Sequence, residues 1–233
     1  MGSEMCIRDR IPYDPALIIR AQSLLLEDAD KLSASRPYRF DLVDVQRQMM
    51  TNLGQLIHRK AAEAFRSKDR EAFTLHSERF LGMLADMDTL LRTRSEYSFD
   101  RWLTEARSWG ETEEEKNQME RDATSLVTIW GADGDPRIFD YSWREWAGLI
   151  NGYYLPRWQK FYTMLQQHLD EGTSYEAAGL PQIYGREAFR ANDFYHALAE
   201  WELSYVDTYG KARIPATEGD EICLLYTSDA ADD

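Results

Sequence analysis

Cysteine is almost absent from this 233-residue chain, and its two cysteines, Cys6 and Cys223, lie at opposite ends. Such a pair provides neither a disulfide framework nor the closely spaced ligands of a zinc site. Basic residues are also few, 27 against 41 acidic residues, which gives a net charge of -14. This charge argues against a general nucleic-acid or anionic-membrane binder, because phosphates would be repelled. No uncharged apolar stretch approaches the roughly 18 residues that a membrane-spanning helix needs, so we expect no membrane span.

The motifs of the common catalytic sites are missing as well. The sequence has no G-x-S-x-G, no G-x-G-x-x-G, no Walker-type loop and no H-E-x-x-H. The acidic run at residues 113–115 falls in the first turn of a predicted helix, where the helix dipole favours carboxylates. We therefore expect no metal site and no cofactor. Paired carboxylates for acid–base chemistry stay open, because many acids are present and nothing singles out one pair. The four histidines are scattered over separate predicted helices: His58, His76, His168 and His196.

Both ends of the chain differ from its middle. Residues 1–10 (MGSEMCIRDR) and 222–233 (ICLLYTSDAADD) resemble translated sequencing-adapter DNA, which recurs at the ends of proteins from metagenomic assemblies. We therefore expect both ends to be translation artefacts and residues 11–221 to form the domain. The alternative is a natural N-terminus and tail. If the ends are artefacts, the two cysteines say nothing about the redox compartment, and a missing signal peptide says nothing about location.

Helix signals occur along nearly the whole chain, and strand-like alternation never exceeds a few residues. Asp14 and Pro15 form an N-cap with a first-turn proline, and Thr112 with Glu115 forms a capping box. Pro156 should kink or split the helix in which it lies. The sequence therefore predicts an all-α domain, a bundle of about six to eight helices. The main helices are expected over about residues 15–32, 40–66, 70–92, 112–129, 140–171 and 186–209, with a short one after Ser98.

Helical spacing also predicts which side chains face the core. Each predicted helix carries apolar residues three or four positions apart on one stripe. The predicted inward residues are Leu42, Val45, Met49, Leu53, Leu56, Phe80, Leu84, Met87, Leu91, Trp102, Ala106, Trp109, Met119, Ala123, Leu126, Phe194, Ala197, Trp201 and Tyr205.

Aromatic residues concentrate in one stretch of the chain. Residues 130–162 contain four of the seven tryptophans and four tyrosines. Trp130 ends one predicted helix and Tyr141 begins the next, so both lie at the mouth of a loop rich in Gly and Asp. Sugar rings stack on aromatic walls of this kind, while tyrosine hydroxyls and loop amides reach sugar hydroxyls. From the residues alone, core packing and a ligand wall are both open for this cluster, although Trp146 and Leu149 are expected in the core.

Four groups of motifs, in order along the chain, resemble the C-terminal helical domain of glycoside hydrolase family 89, the alpha-N-acetylglucosaminidases. They are YRFDLVDVQRQ at 38–48, WLTEAR at 102–107, VTIWG at 127–131 with DYS at 140–142, and WAGL at 146–149 with YYLPRW at 153–158. The resemblance covers most of residues 11–209. The sequence departs from the family at Asp122 and Thr124, where an Asn and an Arg are common, and at Ser142, where Ala is usual. The loop after Trp130 is also about two residues longer than in the animal enzymes.

The resemblance implies a fragment of an exo-acting, retaining enzyme that removes terminal alpha-linked N-acetylglucosamine from glycans. In the family, both catalytic carboxylates lie in a preceding (β/α)8 barrel, so no catalytic residue is expected in this chain, and the fragment alone should be inactive. The family's sugar-facing Trp, apolar loop residue and Tyr map onto Trp130, Ile138 and Tyr141. The implied partners are the glycan and the missing barrel of the same chain. The implied location is periplasmic or extracellular, as in bacterial members.

Two other functions are compatible with the sequence. The chain could be a stand-alone helical interaction or glycan-binding module without catalysis, in which Trp130 and Tyr141 are packing or protein-contact residues. A related bacterial glycosidase with an altered sugar preference is the other possibility. The sequence that flanks this region would distinguish the stand-alone module from an alpha-N-acetylglucosaminidase, because the enzyme requires an upstream barrel with two catalytic carboxylates.

Overall fold

The computed structural model describes residue 11 and residues 13–130, 142–173 and 193–210. Within these ranges the chain forms eight α-helices and no β-strand, which confirms the predicted all-α bundle. None of the helices described is long and apolar enough to cross a membrane. The helices are α1 (Pro15–Glu27), α2 (Ala29–Leu32), α3 (Arg36–Ser67), α4 (Arg70–Leu91), α5 (Phe99–Arg107), α6 (Glu113–Val127), α7 (Leu155–Glu171) and α8 (Asp193–Val206), with a 3₁₀ turn at Ser95–Tyr97 and a π-helical turn at Ile150–Tyr154.

Local caps set several of the helix boundaries, as the sequence predicts. The Asp14 side chain caps α1, and the Ser98 side chain caps α5. The capping box at the start of α6 is complete: the Glu115 amide donates to Thr112 Oγ1 at 3.2 Å, and the Thr112 amide donates to Glu115 Oε2 at 3.0 Å. Gly172, with φ of 68°, ends α7. These boundaries depend on residues close in sequence and were therefore visible in it.

Four clusters of buried apolar residues form the core in the described part of the chain, and the smallest, Ala29, Tyr38 and Leu42, joins α2 to α3. Residues 147–169 contribute to the other three. The first of these three packs α7 against α3 and α4, the second packs the π-helical turn against α3 and α4, and the third packs it against α5 and α6. The three clusters contain, respectively, Ala61, Ala64, Phe73, Phe80, Met83, Tyr162, Leu165 and Leu169; Val43, Met87, Leu90, Leu91, Ala147 and Ile150; and Phe99, Leu103, Ala123, Val127, Leu149 and Tyr153.

Some residues predicted to face the core are exposed instead. On α3, Leu53 and Leu56 are 45% and 41% exposed, whereas Ala61 and Ala64 of the same helix are buried, so the buried face of α3 differs from the predicted stripe. On α5, the helix ends at Arg107, so helical spacing no longer applies to Trp109, which is 83% exposed. The exposed residues are Leu53, Leu56, Trp109, Leu126 and Ala197.

The helix predicted to begin near residue 140 begins later. Residues 143–146 are not helical, and Ala147 forms an isolated bridge with Ser98. In this bridge the Phe99 amide donates to the Ala147 carbonyl at 3.1 Å, and the Ala147 amide donates to the Tyr97 carbonyl at 2.8 Å. Gly148 follows with φ of 86°, a conformation that glycine adopts without a Cβ penalty. Pairing with a distant segment therefore replaces the helix that local spacing predicts.

The interruption predicted at Pro156 is present as a π-helical turn. This turn ends at Tyr154, and Pro156 lies in the first turn of α7. The Leu155 amide donates to the Ile150 carbonyl, five residues back, instead of four. Because proline has no amide hydrogen and its ring crowds the preceding turn, the proline is accommodated at the start of a new helical segment.

Candidate functional site

Trp130 is the described member of the three side chains predicted to face a sugar; Ile138 and Tyr141 lie outside the described residues. It is half-buried, lies three residues past the end of α6, and has φ of 52°. An L-residue in this left-handed region costs about 1–2 kcal/mol, and a bulky side chain there is a genuine outlier. Strained residues of this kind cluster at ligand sites, where the surrounding structure holds them in place.

The end of α6 holds Trp130 in this conformation. The Trp130 amide donates to the Ser125 carbonyl at 2.8 Å, and the Tyr154 hydroxyl donates to the Val127 carbonyl at 3.3 Å. The last carbonyls of a helix have no intrahelical donors, so these bonds satisfy them. Since Tyr154 belongs to the π-helical turn, the position of Trp130 is tied to the centre of the core.

The WLTEAR motif on α5 anchors α6 from the other side. The Trp102 indole Nε1 donates to the Ala123 carbonyl at 3.0 Å. Arg107 Nη1 donates to Glu120 Oε2 at 2.9 Å, and the amide of Gly210 donates to the other oxygen of Glu120 at 3.1 Å. The Glu120 side chain is fully buried. The motif therefore has a packing role: it fixes the helix whose end carries Trp130.

Residues 142–148, which we term the return segment, form the other described flank of the loop after Trp130. Glu145 is its anchor to α3, because Thr51 Oγ1 donates to Glu145 Oε1 at 2.6 Å and Arg47 pairs with Glu145 Oε2. Arg47 also donates to Asp44 at 2.9 Å, and the Tyr97 hydroxyl donates to the same carboxylate at 2.6 Å. Burial acts to lower the pKa of Arg47, but the two carboxylates outweigh it and raise that pKa above its ordinary value.

A second anchor lies at the end of the return segment. The buried Asp88 of α4 accepts hydrogen bonds from the amides of Gly148 at 2.7 Å and Asn151 at 3.1 Å, and it pairs with Arg92. Sequence reasoning missed Asp88. The available signal was a carboxylate next to the apolar stripe of α4, where a buried charge requires partners.

The aromatic cluster divides between the core and the surface. Tyr153 is buried and stacks on Trp201 of α8, with ring centroids 5.6 Å apart. Arg157 forms an ion pair of 2.8 Å with the buried Glu202 of α8. The YYLPRW motif therefore packs α8 against the helix that contains it. In contrast, Trp143 of the return segment is about half exposed.

A cavity of about 600 Å³ lies between α3, α4, α7 and the return segment. Its lining is mostly apolar, with His58 as a polar group whose Nδ1 is 2.8 Å from the Tyr162 hydroxyl. Burial, and secondarily the charge of Arg66, lowers the pKa of His58 below its ordinary value. Trp143 and Glu145 of the return segment contribute to the lining of this cavity. Among the residues described, no group of three or more His, Cys, Asp or Glu could hold a metal ion.

Comparisons with known proteins agree with this architecture. The family model of the alpha-N-acetylglucosaminidase (NAGLU) C-terminal domain matches residues 2–224. Alpha-N-acetylglucosaminidase from Homo sapiens is 31% identical over 166 residues, which cover 70% of this chain and 22% of the human protein.

Solved structures of a family 89 glycoside hydrolase from Clostridium perfringens share the fold. The complex with PUGNAc has a TM-score of 0.74 at 27% identity and covers 94% of this chain and 24% of that one. The complex with the substrate GlcNAc-alpha-1,4-galactose has a TM-score of 0.72 at 26% identity and covers 93% and 24%. The chain thus spans about a quarter of the length of these relatives.

Proposed function

The chain belongs to the family of alpha-N-acetylglucosaminidase C-terminal domains, and from that premise we propose that it forms one wall of the substrate cleft in a larger glycosidase. The whole enzyme is exo-acting and retaining, and it hydrolyses terminal alpha-linked N-acetylglucosamine. A (β/α)8 barrel elsewhere in the same polypeptide supplies the acid/base and the nucleophile, which retention requires about 5–5.5 Å apart. The domain described here binds and orients the sugar.

The proposal rests mainly on the backbone conformation of Trp130. A tryptophan held at φ of 52° is unfavourable for stability, and backbone strain of this kind is concentrated at ligand sites, where the surrounding structure holds it in place. The indole offers a flat apolar face on which the C–H groups of a sugar ring stack. Ile138 and Tyr141 complete the wall in the proposal, with the Tyr141 hydroxyl available to a sugar hydroxyl.

The substrate class follows from the relatives. The Clostridium perfringens enzyme binds GlcNAc-alpha-1,4-galactose as its substrate, and the human relative is an alpha-N-acetylglucosaminidase. We extend the shared element, a terminal alpha-linked N-acetylglucosamine, to the enzyme that contains this domain. Its penultimate sugar is left open, because a single wall does not define it.

The decisive experiment is Trp130→Ala in the full-length enzyme, with kinetics on an aryl alpha-N-acetylglucosaminide. Loss of one stacking ring should lower kcat/KM by about tenfold or more. Trp109→Ala is the matched control, because it removes an equally large but exposed indole from the same domain. Unchanged kcat/KM in Trp130→Ala would contradict the cleft-wall role. The 233-residue chain alone should release no N-acetylglucosamine, and measurable hydrolysis by it would contradict the assignment of both carboxylates to the barrel.

A further inference from the structure

The return segment is weakly held by its own backbone. It starts directly after Tyr141, the proposed sugar-facing residue. Among the described residues, the amides of residues 143–146 donate no backbone hydrogen bond to another described residue, and the first backbone pairing is that of the Trp146 carbonyl, which accepts from the amides of Leu149 at 3.1 Å and Ile150 at 3.0 Å. Neither helix nor sheet includes residues 143–146. Side-chain contacts are therefore important for the position of residues 143–145.

The side chain of Glu145 attaches the return segment to α3. It lies four positions after Tyr141, and both of its carboxylate oxygens are bound by α3, one by the Thr51 hydroxyl and the other by Arg47. The side chains of Glu145 and Arg47 are only 11% and 21% exposed, so water screens the ion pair weakly. Arg47 is itself held by Asp44, which accepts two of its hydrogen bonds at 3.1 and 2.9 Å.

We propose that Glu145 is a positioning residue, which anchors the return segment to Arg47 and Thr51 and thereby sets how tightly the enzyme holds its terminal sugar. The inference rests on the proposed function, because it requires the loop before the return segment to contact the sugar. Glu145 itself acts through the loop and belongs to no catalytic step. It deepens the cleft-wall proposal by identifying what holds the wall in place.

The expected effect is on sugar binding more than on folding. Without the Glu145 anchor, the nearest fixed point becomes Trp146, whose carbonyl accepts from the amides of Leu149 and Ile150. Loop-closure entropy rises only slowly with length, so one more residue changes it little. One extended residue nevertheless spans roughly 3.5 Å, and a misplacement of about 1 Å already impairs a binding geometry. A displaced wall should therefore raise KM, while kcat, set by the carboxylates of the barrel, stays nearly unchanged.

The test is Glu145→Gln in the full-length enzyme. Glutamine keeps the shape of the side chain and can still hydrogen-bond to the Thr51 hydroxyl, but it removes the negative charge that pairs with Arg47. We expect KM for the aryl alpha-N-acetylglucosaminide to rise about tenfold, with kcat within about twofold. Glu105→Gln is the matched control, because it removes the same charge from an exposed ion pair with Arg101 and should leave both constants unchanged.

Three further variants separate the outcomes. The KM of the double variant Glu145→Gln with Arg47→Met should be no higher than that of the more impaired single variant. Both substitutions break the same contact between Glu145 and Arg47, so their effects should not add. Thr51→Val removes the hydroxyl that donates to Glu145 and leaves the charge of Glu145 in place, so it tests the anchor with a KM increase of about threefold if Glu145→Gln folds poorly. A structural role alone would lower the amount of active enzyme, seen as reduced kcat, with KM unchanged, and this would overturn the inference.

Comparison with Trp130→Ala separates this inference from the proposed function. If Trp130→Ala raises KM and Glu145→Gln does not, only the positioning role fails. If Trp130→Ala also leaves KM unchanged, the proposed function fails as well.

Discussion

The carboxylate of Asp88 accepts a hydrogen bond of 2.7 Å from the amide of Gly148, 60 residues further along the chain. Gly148 is the last residue of the return segment, and the first amides of a helical turn lack acceptors within that turn, so they need partners outside it. Asp88 therefore caps this turn from another helix, α4, whereas Asp14 caps the helix that it directly precedes. One buried carboxylate thus fixes where the return segment ends and where the π-helical turn begins.

Removing this cap should destabilise the domain strongly. In Asp88→Ala, the amides of Gly148 and Asn151 lose their acceptor and Arg92 loses its buried partner, so we expect the free energy of unfolding to fall by about 3 kcal/mol. Urea denaturation of the 233-residue chain measures it. Asp86→Ala, at an exposed position two residues away on the same helix, should change the free energy by less than about 0.5 kcal/mol. Equal effects of the two substitutions would exclude the capping role of Asp88.

Two glycines should respond to alanine in opposite directions. Gly148 has φ of 86°, so a Cβ there strains the backbone, and Gly148→Ala should lower the free energy of unfolding by about 1–2 kcal/mol. Gly82 lies within α4 and a Cβ added to it would meet no atom within 4 Å. Gly82→Ala should therefore raise the free energy by about 0.5–1 kcal/mol. Thermal or urea unfolding of both variants gives the comparison, and a stabilising Gly148→Ala would disprove the left-handed backbone.

The helix caps were predictable because they depend on neighbours in sequence. Asp14 and the pair Thr112 and Glu115 occur beside the amides they satisfy. The return segment was not predictable from spacing, because the bridge of Ala147 to residues 97–99 and the contacts of Glu145 with α3 join distant parts of the chain. Helical periodicity alone predicted a helix there, and tertiary pairing overrode it.

The candidate site shows the same division. The aromatic pattern placed Trp130 at the mouth of a loop but left its role open; the sugar-facing role came from the resemblance to a family, and no periodicity indicates its positive φ. The prediction that Leu53 and Leu56 face the core was also wrong, because the spacing within one helix does not show which neighbouring helices cover it. The pattern of side chains along the sequence therefore predicts the approximate extent of most helices. The residues that anchor the site can be identified only when the three-dimensional structure is known.

His58 should make the stability of the domain depend on pH. Burial, with a smaller effect of the Arg66 charge, lowers its pKa in the folded state below the ordinary value of 6.5. Protonation therefore favours the unfolded chain. The stability contributed by neutral His58 is fully present above about pH 6.5 and is lost as the pH falls towards the lowered pKa. His58→Gln should accordingly reduce the loss of unfolding free energy between about pH 7.5 and pH 5.

Urea denaturation of the 233-residue chain across that pH range tests the role of His58. His76→Gln is the control, because it also replaces a histidine and lies on α4, outside the cavity. It should retain the pH dependence of the wild type. If His58→Gln shows the same slope as the wild type, the buried imidazole does not govern acid stability.

Backbone strain at Trp130 can be separated from the contribution of its ring. Glycine at φ of 52° is unstrained, whereas alanine keeps the penalty of an L-residue, so Trp130→Gly should be more stable than Trp130→Ala by about 1–2 kcal/mol. At the exposed position Arg59, inside α3, the order should reverse, with Arg59→Ala more stable than Arg59→Gly by about 1 kcal/mol. Unfolding of these four variants gives both differences. If alanine equals glycine at position 130, the strain argument for a functional tryptophan fails, because the ring would then be held at no energetic cost.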